Sequence, residues 1–145
     1  MRRLQLLLIG LGLLLAGCGS EKTDIMFACA SPSGDNIATL YRVSSGERPG
    51  DQEMKLNLRA ADSALDQGMH SFSFRHGYDA IITWITDDQL QITYPLDSEI
   101  THQEMVIFGS SQTFDPDRQI KVAYQDQPST HGYFMVEKRC LNGAE

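Results

Sequence analysis

The side chains best suited to hold a metal or carry a proton are four histidines, His70, His76, His102 and His131. None falls in H-x-x-x-H, H-x-H or H-E-x-x-H spacing, the intervals that bring two imidazoles to one face. His70 and His76 flank one short extended segment and would need a sharp turn to share an ion, so the four read as surface residues. A serine nucleophile requires an elbow such as G-x-S-x-G, which lifts its hydroxyl clear of the backbone. Gly109-Ser110-Ser111 comes nearest and lacks the second glycine. Asp87-Asp88 and Asp115-Pro116-Asp117 offer hard oxygen ligands, yet neither continues into a calcium loop, and Asp at such points commonly bonds its own backbone in a turn. No G-x-G-x-x-G or Walker sequence occurs, so a nucleotide has no cradle. Spacing therefore assigns no catalytic, metal-binding or cofactor-binding residue. A hydrolase would have to assemble its site from distant residues such as His76, Asp79 and Ser110. Tyr41, Trp84, Tyr94, Tyr124 and Tyr133 would line a ligand cleft or, as strand aromatics more often do, fill a core.

The elements that must position these groups are strands. Ile25 to Ala30 is a brief apolar run that ends at Ser31-Pro32-Ser33-Gly34-Asp35-Asn36, where Pro fixes φ, Gly permits positive φ and Asp or Asn bonds locally. Ile37 to Val43 is rich in β-branched and aromatic residues, so the two runs make a hairpin. Ser44 to Glu53 reads as a mobile Gly/Ser/Pro-rich loop. Met54 to Arg59 alternates without a fault, which predicts a strand with one wet face. Ala60 to Gln67 is a loop stopped by Gly68, and Ser71 to Phe74 alternates again. Ala80 to Thr86 is apolar on both faces, Asp87-Asp88-Gln89 turns the chain, and Leu90 to Tyr94 returns before Pro95. Alternation puts Ile82, Trp84 and Thr86 on one face, which predicts a core indole. Met105 to Phe108, Gln119 to Tyr124 and Tyr133 to Val136 complete the pattern. About eight or nine short strands without a convincing amphipathic helix predict an all-β domain over 25–145, an antiparallel sheet folded as a small sandwich or open barrel.

The N-terminus carries an address. Arg2 and Arg3 precede an apolar stretch from Leu4 to Leu15, and Leu15-Ala16-Gly17-Cys18 follows. This run resembles the lipobox of a bacterial lipoprotein signal peptide. The stretch is shorter than the ~20 apolar residues that span a bilayer, and a small-residue exit suits a signal peptidase. The resemblance implies removal of residues 1–17 and acylation of Cys18 on its sulfur and its amine. It also makes 18–24 a short polar tether. Several acyl chains, at ~0.8 kcal/mol per buried methylene, hold a protein on a membrane far more firmly than one does. Gly19 and Ser20 replace the Asp that retains such lipoproteins in the inner membrane, which implies the outer membrane, periplasmic face.

Removal of residues 1–17 leaves 128 of the 145 residues, enough for one domain with a real core. It also removes two of the twelve basic residues and no acidic one, so the net charge falls from −7 to −9. That balance argues against nucleic acid, whose phosphates need a basic face, and against a body lying flat on anionic lipid. Cys29 and Cys140 remain as an even pair in an oxidising compartment, which predicts a disulfide between the first strand and the last. Their wide separation is unlike the close spacing of redox pairs.

Two further resemblances rest on Ser31 to Gly34, Trp84 to Pro95 and Val122 to Tyr124. Ser-Pro-x-Gly before a strand and Trp-x-x-Asp-Asp-x-Leu-x-Ile resemble β-propeller blade motifs, but this length supplies at most two blades, which excludes a closed propeller. The same features in the same order resemble a group of small, uncharacterised bacterial lipoproteins. In those the turn reads Ser-Pro-Asp-Gly-Lys, so Ser33 and Asp35 depart from the pattern. The shared motifs are structural and imply no functional residue. The sequence thus points first to a lipid-anchored envelope protein acting as a non-catalytic binding or accessory module for an envelope partner. The rival classes are a hydrolase assembled from distant residues and an inhibitor or self-protection factor using a protruding loop such as Ser44 to Glu53.

Overall fold

The structure, a computed structural model, describes residues 21–143. The apolar segment and Cys18 lie outside the described residues. The described chain is all-β: β1 (Lys22–Ala30), β2 (Asn36–Ser44), β3 (Gln52–Ala60), β4 (Phe72–Arg75), β5 (Ile81–Thr86), β6 (Gln89–Pro95), β7 (Glu99–Gln103), β8 (Val106–Phe108), β9 (Gln119–Gln127) and β10 (Cys140–Asn142). They form two five-stranded sheets, ordered β1-β2-β3-β4-β7 and β10-β5-β6-β9-β8, packed as a sandwich rather than a closed barrel.

Alternation decides what lies between the sheets. Leu40, Met54, Leu56, Leu58, Phe72 and Phe74 of the first sheet meet Ile82, Trp84, Leu90, Ile92, Ile107 and Val122 of the second. Trp84 is fully buried, and its indole N–H donates to the Cys29 carbonyl at 3.0 Å. The two turns that carry the Ser-Pro-x-Gly and Asp-Asp sequences touch each other. Asp87 accepts from the Ser33 amide (2.9 Å) and hydroxyl (2.7 Å), and the Asn36 side chain donates to the Asp87 carbonyl at 2.9 Å. These bonds favour the carboxylate and hold the Asp87 acid below its ordinary value. The first sheet is antiparallel throughout, whereas β5–β10 and β6–β9 pair in parallel.

Several expectations need correction. β1 starts at Lys22, inside the stretch read as tether, because Lys22 to Asp24 pair with Ser44 to Arg42 and Asp24 accepts from Arg42 at 3.0 Å. The long loop after β2 shrinks to 45–51 and is structured: Asp51 accepts from the Arg48 amide at 3.2 Å, and the Ser45 amide donates to the Asp51 carbonyl at 2.9 Å. The outer face of β3 is wet only in part: Glu53, Lys55 and Arg59 are half-buried, and Asn57 is fully buried. The Asn57 amide donates to the Met69 carbonyl and to Gln112, and the Tyr41 hydroxyl donates toward the Gln67 carbonyl, so the 61–70 connection roofs this face. That burial pushes the Tyr41 phenol up to about 12. Glu99–Gln103 is a strand with no apolar alternation to announce it, and it forms by pairing with β4. Tyr133 to Val136 is not a strand; the chain closes instead with Cys140–Asn142.

Candidate functional site

One flank of the sandwich is closed by the chain itself, which passes from β7 to β8 within Glu104 and Met105. The opposite flank, between β1 and β10, is closed only at one end. There Cys29 and Cys140 are bonded, with their Cα atoms 5.4 Å apart. Below the bond the seam opens into a cleft of about 560 Å³ lined by Met26, Phe27, Leu40, Tyr78, Asp79, Tyr133 and residues 137–140.

Local chemistry builds this seam. A β-bulge between Ile25 and Phe27 leaves Met26 as an extra residue on β1, 40 % exposed, while Phe27 packs on the core. On the far wall, His131 (φ 54°) and Gly132 (φ 82°) make a two-residue turn of the kind that needs positive φ twice, and Thr130 and Tyr133 bond each other across it. Gly132 sits against Tyr78 so closely that a Cβ there would lie 2.9 Å from the ring. The turn lays Tyr133 on Tyr78, with ring centroids 5.5 Å apart.

The chain from 134 to 139 has no strand pairing, and Asp79 holds it. This carboxylate is 3 % exposed and accepts from the Ala80 and Phe134 amides (both 3.0 Å) and from Arg139 Nε at 2.8 Å. Arg139 also donates to the carbonyls of Phe134 and Val136, so one ion pair pins both ends of the segment. The hydrogen bond to Asp79 raises the Arg139 pKa. Asp79 and Arg139, the charged pair in the cleft lining, are thereby engaged in structure. What the seam offers a ligand is an apolar wall, two stacked phenols, Glu137 and Lys138 at the rim, and the backbone of an edge strand. β1 pairs only with β2, and no described strand covers its other side.

The residues singled out from sequence scatter. His76 faces Glu99 at 3.5 Å, Asp79 is committed to Arg139, and Ser110 bonds Thr113 at 3.0 Å in the turn after β8. The three share no hydrogen bond or ion pair. Of Ser44 to Glu53, only Ser44, Gln52 and Glu53 are strand; residues 45–51 form the exposed connection between β2 and β3, closed by a short 3-10 turn at Pro49–Asp51. Of the five aromatics, Trp84 and Tyr41 are fully buried, Tyr94 and Tyr124 pack on Phe72, and only Tyr133 lines the cleft. His70 and His102 do meet, with rings 5.2 Å apart and edge to face, although they are far apart in sequence. Burial holds the His70 imidazole below its ordinary value, with Lys55 and His102 adding to the effect. Among the described residues no three His, Cys, Asp or Glu side chains gather as metal ligands. Among them, too, no helix is long and apolar enough to cross a membrane.

The seam itself escaped the sequence reading. Its one local signal is His131-Gly132, a turn dipeptide that is weak without the flanking pairing. No known protein family, curated protein or solved structure matches the chain.

Proposed function

We propose that this protein is a lipid-anchored lipoprotein of the bacterial envelope, held by Cys18 on the periplasmic face of the outer membrane, and that it is a non-catalytic binding module. Its ligand is an extended segment of an envelope protein, which adds along β1 and places an apolar side chain in the seam. The observation that carries the reading is the coincidence, on the same flank, of an apolar cleft with a strand edge that no other described strand covers. An edge strand supplies backbone donors and acceptors to any extended chain, and a pocket beside it selects alternate side chains. The dispersal of His76, Asp79 and Ser110 favours binding over hydrolysis.

The test uses full-length protein in cells, with a photo-crosslinking amino acid at Tyr133 or, as control, at the exposed Lys121 on β9. The reading expects one envelope protein captured from position 133 and not from 121. Met26→Glu should abolish the capture and leave the thermal unfolding temperature within a few degrees. Cys18→Ala should release the protein from the membrane fraction. Equal capture from both positions, or capture indifferent to Met26→Glu, refutes the seam as the binding surface.

A further inference from the structure

The 61–70 connection is a strap laid over Asn57 and Tyr41 on the outer face of the first sheet, and it is tied at two places. At 64–66, Gln112 accepts from the Asp66 amide at 2.9 Å and donates to the Ala64 carbonyl at 3.1 Å. At 67–69, the Tyr41 hydroxyl donates to the Gln67 carbonyl at 3.0 Å, and the Met69 carbonyl accepts from Asn57 at 2.8 Å and lies 3.3 Å from the same hydroxyl. The next residue is His70. Its Nδ1 is buried and bonded to no described group, and its ring stands edge to face on His102 of β7.

A neutral imidazole tolerates this site, because one of its nitrogens is a bare acceptor. An imidazolium does not: both nitrogens then donate, and a buried donor without an acceptor is costly. The charges that face the ring come from both neighbouring strands. Lys55 on β3 and His102 on β7 oppose a positive ring, whereas Glu53 on β3 and Glu104 after β7 favour it. Both acids are already engaged. Glu104 lies 2.9 Å from the His102 ring, and Glu53 accepts from Thr101 and lies 4.0 Å from Lys55 and 3.8 Å from Arg75. Asp66, within the strap, accepts from the Gly68 amide at 2.9 Å.

We propose that His70 is an acid-operated latch: on taking up a proton its ring swings into water, and the strap lifts from Asn57 and Tyr41. A cleft of about 370 Å³, lined by Gly68, Met69, His102 and others, opens beside the ring and gives it a way out. Turning the ring displaces the Met69 carbonyl, the point at which Asn57 and Tyr41 are both tied. The far tie, on Gln112, is made by amides and a carbonyl and does not titrate, so the strap hinges at 64–66 rather than unfolding. Burial holds the closed ring below its ordinary value of 6.5, with Lys55 and His102 adding to the effect. The lifted strap returns the ring to water and to that ordinary value. Closure is therefore fully favoured above 6.5 and weakens as the pH falls below it. The latch turns acidity into exposure of an amide and a phenol that are buried at neutral pH, and it depends on neither the anchor nor the seam.

Hydrogen exchange measured by NMR on the full-length protein, expressed as protection over the intrinsic rate at each pH, reads the latch. Protection of the Asn57 side-chain amide and of the Met69 backbone amide is expected to fall at least about fivefold from pH 7 to pH 5, and by no more than about tenfold per pH unit, since one proton is linked. Amides of β6 should keep their protection. The loss should follow the titration of the His70 ring, and it should vanish in His70→Gln. Constant protection in the parent, an equal loss in β6, or a parent-sized loss in His70→Gln overturns the latch. A loss that runs over a different pH range from the His70 ring titration overturns it as well, whether or not the variant folds.

Discussion

Replacing Asp79 with Ala tests whether one carboxylate holds the far wall of the seam. The change removes the acceptor for the Ala80 and Phe134 amides, both buried, and the partner of Arg139. A buried amide left without an acceptor costs about 1–3 kcal/mol. The Arg139 side chain is 33 % exposed and regains water when released, so its share is discounted to well under the cost of a fully buried ion. The sum is about 3–5 kcal/mol. In urea, at an m of about 2 kcal/mol/M, the unfolding midpoint should fall by about 2 M. Asp79→Asn keeps one carbonyl oxygen and should cost about half as much, with Phe134 still partly protected. Hydrogen exchange at the Phe134 amide adds a local readout, because loosening of 134–139 should accelerate it well before the core amides respond. A midpoint within about 0.3 M of the parent for Asp79→Ala, or an unchanged Phe134 exchange rate, refutes the reasoning.

Three other outcomes follow from the same geometry. Joint replacement of Cys29 and Cys140 by Ser should cost about 4–5 kcal/mol on the chain-entropy relation for a loop of this length; urea unfolding measures it, and free-thiol labelling of the denatured, unreduced parent should find neither cysteine reactive. Trp84→Ala should cost about 3–5 kcal/mol, because the indole is fully buried and bonded to Cys29; blue-shifted emission resistant to iodide in the parent is the matching optical sign, and emission like that of indole in water would contradict it. His70 binds a proton less readily folded than unfolded, so its contribution is present above its ordinary value of 6.5 and is lost as the pH falls below it; His70→Gln should flatten the fall in melting temperature between pH 7 and pH 5, and a slope equal to the parent's would show that His70 is not the group responsible.

What was legible in the sequence was what repeats locally. The β1–β2 and β5–β6 hairpins are written in their turns and alternation, and the indole of Trp84 lies on the face that Ile82 predicts. The paired cysteines were legible for another reason: an even count and the oxidising compartment that the lipobox resemblance implies suffice to expect the bond. β7 was not, since Glu99-Ile100-Thr101-His102-Gln103 has one apolar residue and becomes a strand only because β4 presents an edge. The burial of Asn57 on the outer face of β3 was invisible for the same reason, as Met69 and Gln112 cover it from other turns. The parallel pairs β5–β10 and β6–β9 join segments with other strands between them, which no periodicity encodes. The seam combines all of these: a bulge on the first strand, a turn near residue 132 and a carboxylate at 79 meet only in the folded chain.

The central claim is that a ligand adds to β1 at the seam, and backbone hydrogen exchange tests it most directly. Full-length protein is compared with and without the partner segment identified from the Tyr133 crosslink. Protection should rise at amides of β1 between Lys22 and Ala28 and at Tyr133, and stay unchanged in β8 and β9. Protection confined to β8 and β9, or none in β1 at saturating partner, contradicts the account.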